Sequence, residues 1–496
     1  MKRRLGAAAL LGATTVAGFA PAELFPLPII TLAVLFKLWE GATVRRAVLL
    51  GYAWGLGFFL TGVSWIYVSL HDVGDMPLPI AALATVLLCA YLALYPALAG
   101  YGYARLKSGK PLPDALLLAS LWTLTEFGRG YVLTGLPWLA LGYSQTPPSP
   151  LAGFAPIVGS YGLSWLVALL AALLPLLLQK GRRPLALAGV LIIAGVGADL
   201  RTIAWTHPVG TPFSVSLLQG NIPQSLKWDP QRLYLSIDSY VRLARDNPAQ
   251  LTVLPETAIP IFFDQIPTEV VADLTRNGPV LLGSAARLDG DNYSNSAFLL
   301  TPDTAQPQSY AKRHLVPFGE YVPPGFDFFM RLVNIPLSGF TPGGPKQAPM
   351  AWNGQTLMPN ICYEDLFGEE IRDALQGENA ATVLINLSNT AWFGHSLAQP
   401  QHLQIARLRA LETGRPMLRA TNTGMTAAIE PNGWVSAVLP PFTQGALKVN
   451  VQGYQGATPY VRFGNVGPLL LVLLGLLPSL AKRVVKSTNA ESVSGA

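Results

Sequence analysis

Leu357-Met358-Pro359-Asn360-Ile361-Cys362-Tyr363-Glu364-Asp365 joins a short apolar run to a thiol and two carboxylates. The run 357–361 has the length and composition of a buried strand. Reactive groups gather at the carboxyl ends of strands in layered α/β sheets, so the place of Cys362 bears on fold and chemistry together. The chain holds 2 cysteines. Cys89 lies inside the apolar run 81–90, and a structural disulfide between the two is not expected. In an oxidising compartment an unpaired thiol is a liability, kept mostly for reactivity. A free cysteine is also often just a small buried hydrophobe. The surroundings decide between these readings.

Of 496 residues, 51% are hydrophobic and 12% charged, and the mean hydropathy is +0.37. Soluble domains carry about 25% charge, so the deficit indicates a membrane protein. It is uneven. Residues 1–200 are almost continuously apolar, 201–462 read as a globular domain, and apolar sequence returns at 466–480. Spans are expected at 5–22, 24–38, 47–70, 78–103, 114–133, 151–178 and 185–196, then at 463–481. A spanning helix needs roughly 20 apolar residues, and the second and seventh of these are short. The segment 5–22, behind Lys2, Arg3 and Arg4, has the shape of a signal peptide. Further spans follow it and no clear cleavage site stands out, so it is expected to be retained.

The formal net charge of +6 resides largely in short gaps between spans. Lys2 to Arg4, Arg45 and Arg46, Arg105 to Lys110, Lys180 to Arg183, and Lys482 to Lys486 each follow an even number of spans. The gap with Asp72 and Asp75 and the uncharged gap 142–150 follow odd numbers. The positive-inside rule then places both termini in the cytoplasm and 201–462 outside it. The expected organisation is therefore about seven helices in 1–200, an extracytoplasmic globular domain over 201–462, a last span at 463–481 and a cytoplasmic tail at 482–496. No basic run interleaved with aromatics occurs in the soluble part, which argues against a nucleic-acid partner.

Within 201–462, apolar runs at 213–218, 251–254, 280–282, 296–300, 357–361, 382–387 and 416–420 read as strands. Helical periodicity appears at 231–245 and 401–413, the latter stopped by Gly414 and Pro416. The alternation predicts a layered α/β domain. Glu256, Lys312 and Cys362 fall near strand ends. A carboxylate can take the thiol proton, because the thiolate is the nucleophile. An ammonium can stabilise the oxyanion of a tetrahedral intermediate. Singly, Glu256 could cap a helix, Lys312 could be a solvated charge and Glu364 could pair with a basic neighbour. His395 and His402 are too sparse for a metal site, and no paired cysteines or HExxH run exist, so no metal or cofactor is expected. Glu126 and Arg129, near a span end, suit either a phospholipid headgroup or an interfacial ion pair.

Leu254-Pro255-Glu256, Tyr310-Ala311-Lys312-Arg313-His314-Leu315-Val316-Pro317-Phe318-Gly319-Glu320-Tyr321 and Asn360-Ile361-Cys362-Tyr363-Glu364 resemble the three catalytic blocks of the carbon–nitrogen hydrolase (nitrilase) superfamily. With the flanking spans, the chain resembles the apolipoprotein N-acyltransferase family over nearly its whole length. Gln219-Gly220-Asn221-Ile222-Pro223-Gln224, Trp392-Phe393-Gly394 and Thr421-Asn422-Thr423-Gly424 agree. The resemblance implies an α-β-β-α sandwich on an eight-helix membrane base. It implies an acyltransferase working through an acyl-enzyme: a thiolate takes an acyl chain from a membrane phospholipid, and the α-amine of a diacylglyceryl-cysteine at a lipoprotein N-terminus accepts it. By motif match Cys362 is the nucleophile, Glu256 the base and Lys312 the oxyanion partner. Glu320 and Glu364 match two further carboxylates, Trp228 a substrate-contacting tryptophan, and Tyr363 the residue after the nucleophile. The implied location is the bacterial inner membrane, with the catalytic domain on the periplasmic side. One departure is visible: Asn389-Thr390-Ala391-Trp392 has threonine where the family often has aspartate.

The stretch 322–349 gathers Phe326, Phe328, Phe329 and Phe340 among prolines and glycines. An exposed apolar arm on a soluble domain marks a membrane or ligand contact, here with the bilayer from which acyl chains enter; an ordinary packed loop is the alternative. A membrane-anchored amidase of the same superfamily shares every catalytic residue but needs only one anchor. A transporter should carry charges inside its spans, whereas Glu23, Lys37, Glu40 and Asp199 lie near span ends.

Overall fold

The computed structural model describes residues 1–224, 233–302, 306–326 and 339–479. The chain folds as two compact units. One comprises Met1–Ser64, Ala82–Ile203 and the chain from Phe463; the other comprises Trp65–Ala81 and Ala204–Arg462.

The first unit is helical. Among the described residues three helices are long and apolar enough to cross a membrane, Leu78–Leu106, Pro150–Leu178 and Arg183–Leu200. A fourth is counted if Val44–Gly62 and Trp65–Val73 form one bent span, and Leu27–Trp39 and Val466–Ser479 are shorter apolar helices. The span expected over 47–70 falls on the first pair, which is bent by 48° at the break where the helix Val44–Gly62 ends. Glycine governs the packing of this helix. A Cβ on Gly57 would lie 1.9 Å from the Ala9 carbonyl oxygen, and one on Gly51 2.5 Å from that of Pro96. Small residues let backbones approach where lipid supplies no hydrophobic drive. Glu126 and Arg129 are both buried. Glu126 accepts from Trp122 Nε1 at 3.0 Å and Leu141 N at 3.1 Å, while Arg129 donates to the Leu136 and Trp138 carbonyls at 2.5 and 2.6 Å. These charges hold the loop after their helix.

The second unit is built on two six-stranded sheets. In chain order its strands are β1 (His207–Gln219), β2 (Leu251–Val253), β3 (Val280–Arg287), β4 (Tyr293–Leu300), β5 (Gln308–Ala311), β6 (Met350–Trp352), β7 (Gln355–Ile361), β8 (Val383–Ser388), β9 (Met417–Thr421), β10 (Ala427–Ile429), β11 (Val435–Val438) and β12 (Gly445–Gln455). The sheet orders are β12-β1-β2-β3-β4-β5 and β11-β10-β9-β8-β7-β6. Each is mixed, with a parallel centre, β1-β2-β3 or β7-β8-β9, and antiparallel flanks.

Period-two patterning builds the layers. Val215, Leu217, Leu281, Ala297 and Leu299 turn to the face that packs with Leu357, Ile361, Ile385 and Leu387 of the other sheet. Their neighbours Leu218, Val280, Leu282, Phe298 and Leu300 turn outward onto Tyr240 and Ala244 of the helix Leu233–Asp246. On the other sheet Leu403, Ala406 and Ala410 of the helix Ala398–Thr413 join the core. The result is the nitrilase-like sandwich with helices outside its sheets. The antiparallel strands β5, β6 and β10 to β12 were not read in the sequence. Most are short or follow Gly- and Pro-rich turns, and the exposed alternation of β12 carries little apolar signal.

Candidate active site

Three strand ends assemble the site. Glu256 follows β2, Lys312 follows β5 and Cys362 follows β7. The first two strands belong to one sheet and the third to the other, so the reactive groups meet where the sheets face each other.

Lys312 is buried, 1% exposed. Its Nζ lies 2.8 Å from Glu320 Oε2 and 3.5 Å from Glu256 Oε1. Burial works against this ammonium, but Glu320, then Glu256, then Cys362 outweigh it and raise its proton affinity. Asn295, on β4, ties the carboxylates together: Nδ2 donates to Glu256 Oε1 at 2.7 Å and to Glu320 Oε1 at 2.8 Å. Its backbone carbonyl accepts from Lys312 N at 2.7 Å. Glu256 Oε2 accepts from the Asn389 backbone N–H at 2.7 Å, and Glu320 Oε2 from Val316 N at 2.8 Å. Asn295 was missed in the sequence because an asparagine inside a strand advertises nothing; Tyr293-Ser294-Asn295-Ser296 is a polar interruption of an apolar strand, and that is its one signal.

Cys362 opens the turn Cys362–Leu366 with φ +54°. A non-glycine residue in this region is strained by roughly 1–3 kcal/mol and persists only where its surroundings over-determine it. Burial pushes the thiol well above its ordinary range, Glu256 adds to this and Lys312 opposes it. The thiol therefore lies within electrostatic reach of both groups.

Glu364 clamps the thiol turn to the lysine strand. Its carboxylate accepts from Ile361 N and Arg313 N, each at 2.6 Å, and from the Tyr310 hydroxyl at 2.8 Å. Burial pushes this carboxyl up to about 7, against the pull of the Ile361 N–H and the Lys312 charge. Tyr363 packs with His314 and Phe367, ring centroids 5.7 and 5.3 Å away.

Residues 339–343 are held by main-chain hydrogen bonds. Gly339 N and Phe340 N both donate to the Glu320 carbonyl, at 2.8 and 2.9 Å, and Gly343 N to that of Lys312 at 2.7 Å. The Phe340 ring meets Tyr293 at 4.9 Å, and Phe326, 44% exposed, meets Phe318 at 5.3 Å. Trp228, Phe328 and Phe329 lie outside the described residues.

The loop with the threonine departure bonds Glu256 through its backbone, at Asn389 N; Thr390 itself is buried. The same loop meets the segment Trp65–Val73. Ser69 Oγ donates to the Trp392 carbonyl at 2.7 Å, and the Trp65 and Phe393 rings lie 4.7 Å apart. His395 stacks on Phe442 at 3.6 Å. Among the described residues no group of three or more His, Cys, Asp or Glu could hold a metal ion. A cavity of about 430 Å³ opens behind Glu364 and is lined by Tyr310, Arg313, Lys346 and Asp373, but not by Cys362, Glu256 or Lys312.

Comparison with known proteins agrees with this architecture. Residues 11–173 match the model of the apolipoprotein N-acyltransferase N-terminal domain, and 214–460 that of the carbon-nitrogen hydrolases. The apolipoprotein N-acyltransferase of Nitrosomonas europaea is 48% identical over 96% of each chain. That of Ralstonia nicotianae is 48% identical over 96% of this chain and 93% of its own, and that of Chromobacterium violaceum 47% over 96% and 94%. A solved nitrilase-superfamily amidase from Nesterenkonia AN1 aligns with TM-score 0.37 at 20% identity, covering 51% of this chain and 95% of its own. The chain therefore belongs to the apolipoprotein N-acyltransferase family and is an acyltransferase.

Proposed function

We propose that the enzyme moves a fatty acyl chain from a membrane phospholipid to the α-amino group of an N-terminal diacylglyceryl-cysteine on a lipoprotein, through a thioester on Cys362. The observation that carries this is the placing of one ammonium, Lys312, between two carboxylates at the mouth of strands that also deliver the thiol. Glu256 takes the Sγ proton as sulfur attacks the ester carbonyl. Lys312 faces the oxyanion. Collapse breaks the carbonyl–oxygen bond, and the leaving glycerol oxygen takes the proton from Glu256. A lysophospholipid departs and the thioester remains.

The acceptor amine then attacks the thioester carbonyl, Glu256 receives an amine proton, and collapse returns the sulfur. The proton passes back to the thiol, so acid and base roles alternate on one carboxylate. Glu320 holds the ammonium, and Glu364 and Tyr363 shape the thiol turn. By the motif match Trp228 contacts substrate, and Phe326, Phe328, Phe329 and Phe340 belong to an apolar substrate arm. Transfer in place of hydrolysis requires that water be excluded while the thioester waits.

The apolar helices, the basic gaps and the family support an inner-membrane enzyme of eight spans, seven in 1–200 and one at 463–481, with 201–462 on the periplasmic side and 482–496 in the cytoplasm. Intact-mass spectrometry of the purified enzyme with phospholipid should show an acyl adduct that Cys362→Ala lacks. Free fatty acid in place of N-acylated peptide would instead indicate the amidase reading, and absence of any adduct under turnover would refute the thioester.

A further inference from the structure

The mechanism uses none of the charged groups buried beneath the nucleophile turn. Asp365, three residues after Cys362, is fully buried. Its Oδ2 accepts from Arg419 at 2.7 Å, and its Oδ1 is 2.9 Å from His402 Nε2. Arg419 stands on β9 and His402 on the helix Ala398–Thr413, each 1% exposed. The Cys362 carbonyl accepts from Asn386 Nδ2 at 3.2 Å. Strand register explains the convergence. Asn360 pairs with Asn386 and Asn386 with Arg419, so three polar side chains stand abreast across β7, β8 and β9 under the turn.

Buried ionic groups are poor stabilisers, since well-packed apolar residues of similar volume often do as well or better. Their use here is geometric. The positive φ of Cys362 has to be imposed, and the turn that bears it is tied by Asp365 to a strand and to a helix on the outer face of its sheet. We infer that Asp365, His402 and Arg419 form a buried brace that sets the backbone of Cys362 and are positioning residues for its attack. The inference rests on Cys362 being the nucleophile, as proposed above. A misplacement of about 1 Å at reacting atoms can cost on the order of a hundredfold in rate.

The test uses full-length enzyme in detergent with phospholipid and a diacylated peptide. It measures turnover and, by mass mapping at Cys362, the rate constant for alkylation by iodoacetamide. Asp365→Asn and His402→Ala should each slow both by tenfold or more. His402→Gln should return both to within about threefold of wild type, because an amide can still donate to Asp365 and no proton need pass through the ring. Should Asp365→Asn fail to fold, the His402 pair decides alone. Turnover and alkylation within twofold of wild type in Asp365→Asn or in His402→Ala would overturn the brace. So would lost turnover with unchanged or faster alkylation, the signature of a merely loosened fold, and so would an inert His402→Gln. Cys362→Ala is the control: if it turns over, the nucleophile reading itself is wrong; if it is inert and the brace variants are normal, the brace alone fails.

Discussion

Lys312 Nζ is 2.8 Å from the Glu320 carboxylate and 3.5 Å from that of Glu256. Glu320 is therefore the nearer partner of the ammonium and Glu256 the farther one. Glu320→Gln should lower kcat by about 10²–10³, the usual loss when a preorganised oxyanion group is disturbed. Steady-state kinetics in micelles decides this; more than a tenth of wild-type turnover would refute the assignment.

Asn295 bonds both carboxylates with one amide nitrogen, at 2.7 and 2.8 Å. Asn295→Asp removes those donors and adds a third acid, so proton uptake by the cluster becomes easier. The acid limb of the pH–rate profile should move up by about one pH unit, and an unmoved limb would show that the asparagine does not tune the cluster.

Burial and Glu256 raise the Cys362 thiol well above its ordinary range. Burial thus favours the protonated thiol over the thiolate. Alkylation of Cys362 by iodoacetamide should climb with pH through 9 without a plateau near 7. The Lys312 proton affinity is raised, so its charge persists throughout this range and contributes no fall in rate. A plateau near pH 7 would indicate a preformed thiolate.

Glu364 accepts from two backbone N–H groups at 2.6 Å and a hydroxyl at 2.8 Å. Glu364→Ala orphans these buried donors at about 1–3 kcal/mol each, before any relief by water. Thermal unfolding should fall by several degrees and turnover should vanish, with Glu364→Gln intermediate. A wild-type unfolding temperature in the alanine variant would deny the clamp.

A methyl on Gly57 would stand 1.9 Å from the Ala9 carbonyl oxygen. Gly57→Ala should force the helices apart and lower the unfolding temperature, while Gly6→Ala, with nothing within 4 Å, should not. Equal effects of the two would contradict close packing at Gly57.

The central strands were legible because they are short apolar runs bounded by turns: 357–361 and 280–282 both fall inside observed strands. The helix 401–413 was legible through its stop signals, and begins three residues earlier. The break after Gly62 was not, since hydropathy runs through it into Trp65–Val73 and reports no angle. Asn295 and Asp365 escaped because their roles depend on partners 25 to 54 residues away in the chain.

Composition and motif by themselves pointed to a protein that is part apolar helix and part layered sheet, and singled out Cys362, Glu256 and Lys312 as its candidate site. Those are local properties: hydrophobic periodicity, charge in the gaps, and residue types at strand ends. What each carboxylate bonds was decided only in three dimensions. That Glu320 lies nearest Lys312 while Glu364 bonds the thiol turn depends on ångström differences between strands of two facing sheets. A one-dimensional pattern does not encode distances that packing sets.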